Sequence, residues 1–99
     1  MKTAWNQRAR ENARHFIATG KSNWTDEEFS ASGERTVADY ILTDMPNVCQ
    51  GKPADRMRVL EIGCGAGRTT KALARTFGEV HAVDVSGEMV RCARAALTE

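Results

Sequence analysis

The chain has 99 residues, 41% of them hydrophobic and 27% charged, with a formal net charge of +1. That length suits one small domain with little stability in reserve, and the near-neutral balance gives no electrostatic sign of a nucleic-acid or anionic-membrane partner. No apolar run approaches the roughly 20 residues of a membrane span. The opening Met1-Lys2-Thr3-Ala4-Trp5-Asn6 lacks an apolar signal core, so a cytoplasmic location is expected. Cys49, Cys64 and Cys92 are odd in number and share no CxxC spacing, which favours reduced thiols over a disulfide frame or a metal site.

The first predicted element is an amphipathic helix over residues 5–18. Trp5, Ala9, Ala13, Phe16 and Ile17 fall near one face, and Gly20 is its natural stop. His15 has no second ligand at metal spacing and reads as a surface or half-buried histidine. Thr25-Asp26-Glu27-Glu28 is a capping box, with Thr25 as N-cap and Glu28 at the third helical position, opening a short helix through Phe29 to Ala31. Ser32 then reads as the cap of a longer helix striped by Val37, Tyr40, Ile41 and Met45 and ended by Pro46. These two helices either pack as core or stand as a lid before a ligand site further along.

Residues 46–57 read as a linker, marked by Pro46, Gly51 and Pro53. The α/β part follows. Val59, Leu60 and Ile62 predict a buried strand at about 58–62, running into the turn Gly63-Cys64-Gly65-Ala66-Gly67. A helix is expected at about 67–76, with Ala72, Leu73 and Phe77 toward the sheet and Gly78 closing it at a C′-like position. Val80-His81-Ala82-Val83-Asp84 is a second strand, and Ser86 caps a last helix striped by Met89, Val90, Ala93 and Leu97. No repeat or low-complexity tract interrupts this order. The fold class is therefore α/β: N-terminal helices, then a βαβα segment.

Strand, glycine turn and helix in succession open a nucleotide-type site. A dinucleotide fingerprint needs a third glycine at the sixth position from Gly63, where this chain has Arg68, and Gly67 comes one residue early. A P-loop is excluded more firmly, since no Gly-Lys-Ser/Thr follows.

The pattern Glu61-x-Gly63-x-Gly65-x-Gly67 resembles motif I of the class I S-adenosylmethionine-dependent methyltransferases. The second strand agrees, for Val83-Asp84-Val85-Ser86-Gly87-Glu88-Met89 is similar to that family's acidic strand end followed by Ser and Met at a helix start. The resemblance covers about residues 58–98. Residues 5–45, starting Trp5-Asn6, are less specifically similar to the N-terminal helices of small bacterial methyltransferases. It implies a Rossmann-like sheet of strand order 3-2-1-4-5-7-6, of which this chain supplies the first two strands, leaving apolar edges open to self-association. It implies S-adenosylmethionine as the cofactor, with Asp84 accepting from the two ribose hydroxyls. Val85 would pack on the adenine, and backbone from Gly63 through Cys64 to Gly65 would line the methionine part, with Gly67 completing the loop. Glu61 would reach the ammonium through water or order the loop. Cys64 has no activating base in view and reads as a small loop residue.

The organisation expected is an N-terminal helical, lid-like segment at 1–45, a linker at 46–57 and the first part of the cofactor-binding domain at 58–99. The acceptor and any catalytic base are not identified. These residues alone are expected to bind cofactor weakly or undetectably and to transfer no methyl group. The rival readings are a non-catalytic product or module that completes its sheet with another chain, and a nicotinamide-dependent oxidoreductase, which Arg68 disfavours.

Overall fold

A computed structural model of the chain describes residues 1–17 and 23–97, the side chains of 13–17 excepted. Helix α1 (Lys2–Ile17) is broken at Asn12, whose φ of −165° and ψ of 84° are extended rather than helical. Its Trp5 and Ala9 lie against the buried group Phe29, Ala66 and Met89, as the amphipathic pattern requires. The side chains of Ala13, His15, Phe16 and Ile17, and the expected stop at Gly20, lie outside the described residues.

Helix α2 (Asp26–Tyr40) opens on the reciprocal capping box: Glu28 N donates to Thr25 Oγ1 at 3.1 Å, and Thr25 N donates to Glu28 Oε1 at 3.4 Å. The two helices expected between 25 and 45 are one, because Ser32 does not cap. Its hydroxyl donates to the Phe29 carbonyl one turn back at 2.8 Å, a bond a mid-helix serine makes without breaking the helix. The helix ends at Tyr40, which is exposed and off the expected stripe. A 3-10 turn (Leu42–Asp44) leads into α3 (Met45–Cys49). Pro46 sits in the first turn of α3, where its missing N–H and fixed φ are tolerated, so it starts a helix instead of ending one. The stretch read as a linker thus carries α3 and a second 3-10 turn (Ala54–Arg56).

Strand β1 (Arg58–Ile62) and strand β2 (Glu79–Val83) pair in parallel, from Arg58 opposite Glu79 to Ile62 opposite Val83. Helix α4 (Thr70–Thr76) crosses between them, and α5 (Gly87–Leu97) follows β2. Both strands alternate exposed and half-buried residues. Val59 and Val80 face a core of Val37, Cys49, Ala72, Leu73 and Phe77. The opposite face is open, with Leu60 62% and Ile62 79% exposed, although parallel sheets ordinarily have both faces covered. Among the described residues each strand has one neighbour.

Close approach explains two glycines. A Cβ at Gly33 would lie 1.6 Å from the Arg68 carbonyl oxygen, so this glycine lets α2 press on the turn before α4. Gly78 was expected to end α4 through a left-handed turn, but it is not among the positive-φ residues. Its requirement is space, since a Cβ there would meet the Asp55 carbonyl oxygen at 2.2 Å. Arg68, the residue that breaks the dinucleotide pattern, fastens α2 to this turn: Nη1 donates to Thr36 Oγ1 at 2.8 Å and to the Ser32 carbonyl at 3.3 Å.

Candidate functional site

The in-register pairing ends both strands at the same level, so Gly63 and Asp84 emerge side by side at the carboxyl end of the sheet, where open α/β sheets bind their ligands. A cleft of about 570 Å³ opens there, and Gly63, Gly65, Asp84 and Val85 line it. Ile62 and Val83, at the strand ends, and Met89 from α5 also line it, with Met1 and, from α1, Trp5 closing it.

The loop is folded by backbone bonds. Gly63 N and Cys64 N both donate to the Val83 carbonyl, at 2.8 and 3.0 Å, and Gly67 N donates to the Cys64 carbonyl at 3.0 Å. Gly63, Gly65 and Gly67 have φ of 74°, 55° and 86°, the left-handed region that side chains rarely occupy. The space beyond Gly63 is empty of protein within 4 Å of a hypothetical Cβ. Gly67 is packed instead, with its missing Cβ 3.2 Å from the Ala93 Cα.

Asp84 is half-buried. Its Oδ2 accepts from Gly65 N and its Oδ1 from Ser86 N, both at 2.9 Å. It therefore ties the glycine loop to the start of α5. A carboxylate has about four acceptor positions, so each oxygen keeps capacity for a ligand hydroxyl. Ser86, fully buried, is the N-cap expected of it: its Oγ accepts from Met89 N at 3.1 Å.

Glu61, Cys64 and Gly67 stand behind the cleft. The Glu61 carboxylate accepts from the hydroxyls of Thr69 and Thr70, which orders the turn leading into α4. Cys64 is buried, and that burial pushes its thiol above the ordinary 9.0, helped by the negative charges of Asp84 and Glu61. It is a protonated packing residue near neutral pH. All three cysteines are free, and no cluster of metal-ligating side chains occurs among the described residues.

Sequence reasoning missed Met1, Trp5, Ile62, Val83 and Met89 as cleft-lining residues. Ile62 and Val83 carried a usable signal, since each immediately precedes a predicted ligand-binding residue at a strand end. Trp5 carried none beyond its place on an apolar helix face.

Fold and cleft together make a partial Rossmann-like α/β unit with a cleft at the carboxyl ends of its two parallel strands. Residues 59–99 match the family described as "Methyltransferase domain". Over 58 residues, 59% of this chain, the sequence is 34% identical to the mitochondrial ubiquinone biosynthesis O-methyltransferase of Homo sapiens, covering 16% of that protein. The ubiquinone biosynthesis O-methyltransferase of Xylella fastidiosa (strain 9a5c) is 43% identical over 42 residues, 42% of this chain and 17% of the relative. That of Xanthomonas campestris pv. campestris (strain B100) is 46% identical over 37 residues, 37% of this chain and 16% of the relative. The chain thus spans about a sixth of the length of the curated relatives it matches. No solved structure matches it. No helix among the described residues is long and apolar enough to cross a membrane.

Proposed function

We propose that the chain forms the cofactor-binding part of an S-adenosylmethionine-dependent methyltransferase of class I. The observation that carries this is the convergence of Gly63, Gly65 and the Asp84 carboxylate on one cleft at the strand ends. The residues suit the group. Asp84 has acceptor capacity for two ribose hydroxyls, the space beyond Gly63 admits the methionine part, and Val85 offers an apolar surface to the adenine. Cys64, in this reading, contributes backbone only, and Glu61 and Gly67 keep the loop in shape. When bound, the cofactor supplies an activated sulfonium methyl group. The chain's own work is to hold and orient it, which is where most of the catalytic advantage of such an enzyme resides.

The division proposed is a helical, lid-like segment at 1–45, a connecting stretch at 46–57 and the cofactor domain from 58 onward, in a cytoplasmic protein. The matches cover about a sixth of each O-methyltransferase relative, so the acceptor is left open. The two-stranded sheet, each strand of which has one neighbour among the described residues, favours a second reading, in which the chain completes its sheet with another chain. Sedimentation of the purified chain distinguishes the two states of assembly.

Equilibrium dialysis against labelled S-adenosylmethionine and, separately, labelled nicotinamide dinucleotide tests the proposal. Retention of the first and not the second is expected. Retention of the dinucleotide alone would overturn it.

A further inference from the structure

Trp5 lines the cleft from an element remote in sequence, and the bonds that keep it there converge on the first turn of α5. The Asn6 side-chain oxygen accepts from the Ser86 hydroxyl and, at 3.3 Å, from Glu88 N. Arg10 Nη2 lies 3.6 Å from Glu88 Oε1. Six residues beyond Asn6, the helix is interrupted at Asn12, so residues 2–11 form a helical arm separated from the rest of α1 by an extended joint. Ser86 also donates its N–H to Asp84. A continuous hydrogen-bonded chain therefore runs from Asn6 through Ser86 to the residue proposed to hold the ligand.

We infer that residues 2–11 are a lid hinged at Asn12, and that Asn6 is the positioning residue that latches it shut on Ser86 and Glu88. The inference rests on the cofactor reading of the cleft, and it names the moving part and the group that fixes it. The closed arm sets Met1 and Trp5 against the open side of the cleft, while the glycine loop and Asp84 form the fixed side. Asn6 suits a latch because its one oxygen meets two donors at a helix N-terminus, where an acceptor is favoured. Arg8, 4.7 Å over the Trp5 ring, stiffens the arm's cleft-facing side chain.

The test uses acrylamide quenching of tryptophan fluorescence in a Trp24→Phe background, which leaves Trp5 as the one emitter. Removing both contacts with Asn6→Ala is expected to shift the closed–open balance by about tenfold and to raise the quenching of Trp5 in the ligand-free chain. Asn6→Asp keeps both acceptor contacts and is expected to quench like the parent. Should Asn6→Ala fail to fold, Arg10→Gln removes the ion pair alone and is expected to raise quenching in the same direction by less. S-adenosylhomocysteine is expected to protect Trp5 in the parent and in Asn6→Asp. Equal quenching in parent and Asn6→Ala, or an Asn6→Asp chain as exposed as Asn6→Ala, would overturn the latch. A quenching difference that persists while S-adenosylhomocysteine protects neither protein would uphold the latch and count against the cofactor reading.

Discussion

The two sides of the cleft are built by different means. The glycine loop is fixed mainly from the backbone and close in the sheet: Gly63 and Cys64 donate their N–H groups to the Val83 carbonyl, and Gly65 and Ser86 donate theirs to the Asp84 carboxylate, the one side chain on this side. The α1 side is held by side chains, with Asn6 reaching a serine 80 positions away. Backbone bonds tolerate changes of side chain as long as φ and ψ are met, whereas side-chain contacts are removed by one substitution. The first side is expected to behave as a rigid floor and the second as an adjustable cover.

The change that should disturb the floor most is Gly65→Val. Its φ of 55° opposes a β-branched residue, and the new side chain would enter the cleft that Gly65 lines. Calorimetry with S-adenosylhomocysteine is expected to register no binding. Undiminished affinity would show that the loop does not touch the ligand.

Met89 links the two sides, being fully buried between Trp5 and Phe29 while reaching the cleft. Met89→Ala is expected to lower unfolding free energy by about 2–5 kcal/mol, as deletions of large buried side chains do. Urea denaturation checks it, and a loss below about 1 kcal/mol would mean that the cavity collapses or that the α1 packing is weaker than described.

Asp84→Ala removes a charged acceptor from the floor. The expected loss of S-adenosylhomocysteine affinity corresponds to about 1.5–3 kcal/mol. Because Asp84 also holds Gly65 N and Ser86 N, a slight loss of stability should accompany it. Unchanged affinity would remove Asp84 from the site.

The least conspicuous effect concerns Cys64. Its folded thiol ionises above the ordinary 9.0 because burial and two nearby carboxylates disfavour the thiolate. The raised value makes its contribution to stability complete below the unfolded pKa, with loss beginning as pH rises past about 9. Iodoacetamide should label the partly exposed Cys92 before Cys64 in the native chain at pH 8. Equal rates would contradict the buried position.

How far the sequence could be read follows the same division. Strand β1 lies at the expected 58–62, β2 starts one residue before the expected 80, and the Thr25 capping box and Ser86 cap act as read. All of these depend on neighbours within a few positions. Helix α4 begins at Thr70 rather than near 67 because the turn over 65–69 follows Gly65 and Gly67 in left-handed conformation. Pro46 is ambiguous by itself, for a proline ends one helix and starts another by the same fixed φ. The docking of α1 on α5, and with it Trp5 in the cleft, depends on contacts that no local periodicity encodes. The role of Gly33 is likewise set by a backbone carbonyl on a different element.

The central claim is that one small ligand bridges the glycine loop and Asp84. It is tested most directly by titrating isotope-labelled chain with S-adenosylhomocysteine and following backbone amides by nuclear magnetic resonance. The account predicts that the largest shifts fall on Gly63, Cys64, Gly65, Val85 and Ser86, with smaller ones at Trp5 and Asn6, and none along α3 and the outer face of α2. A folded chain whose loop amides stay unmoved at millimolar ligand, or whose shifts gather on the open face at Leu60 and His81, would contradict it.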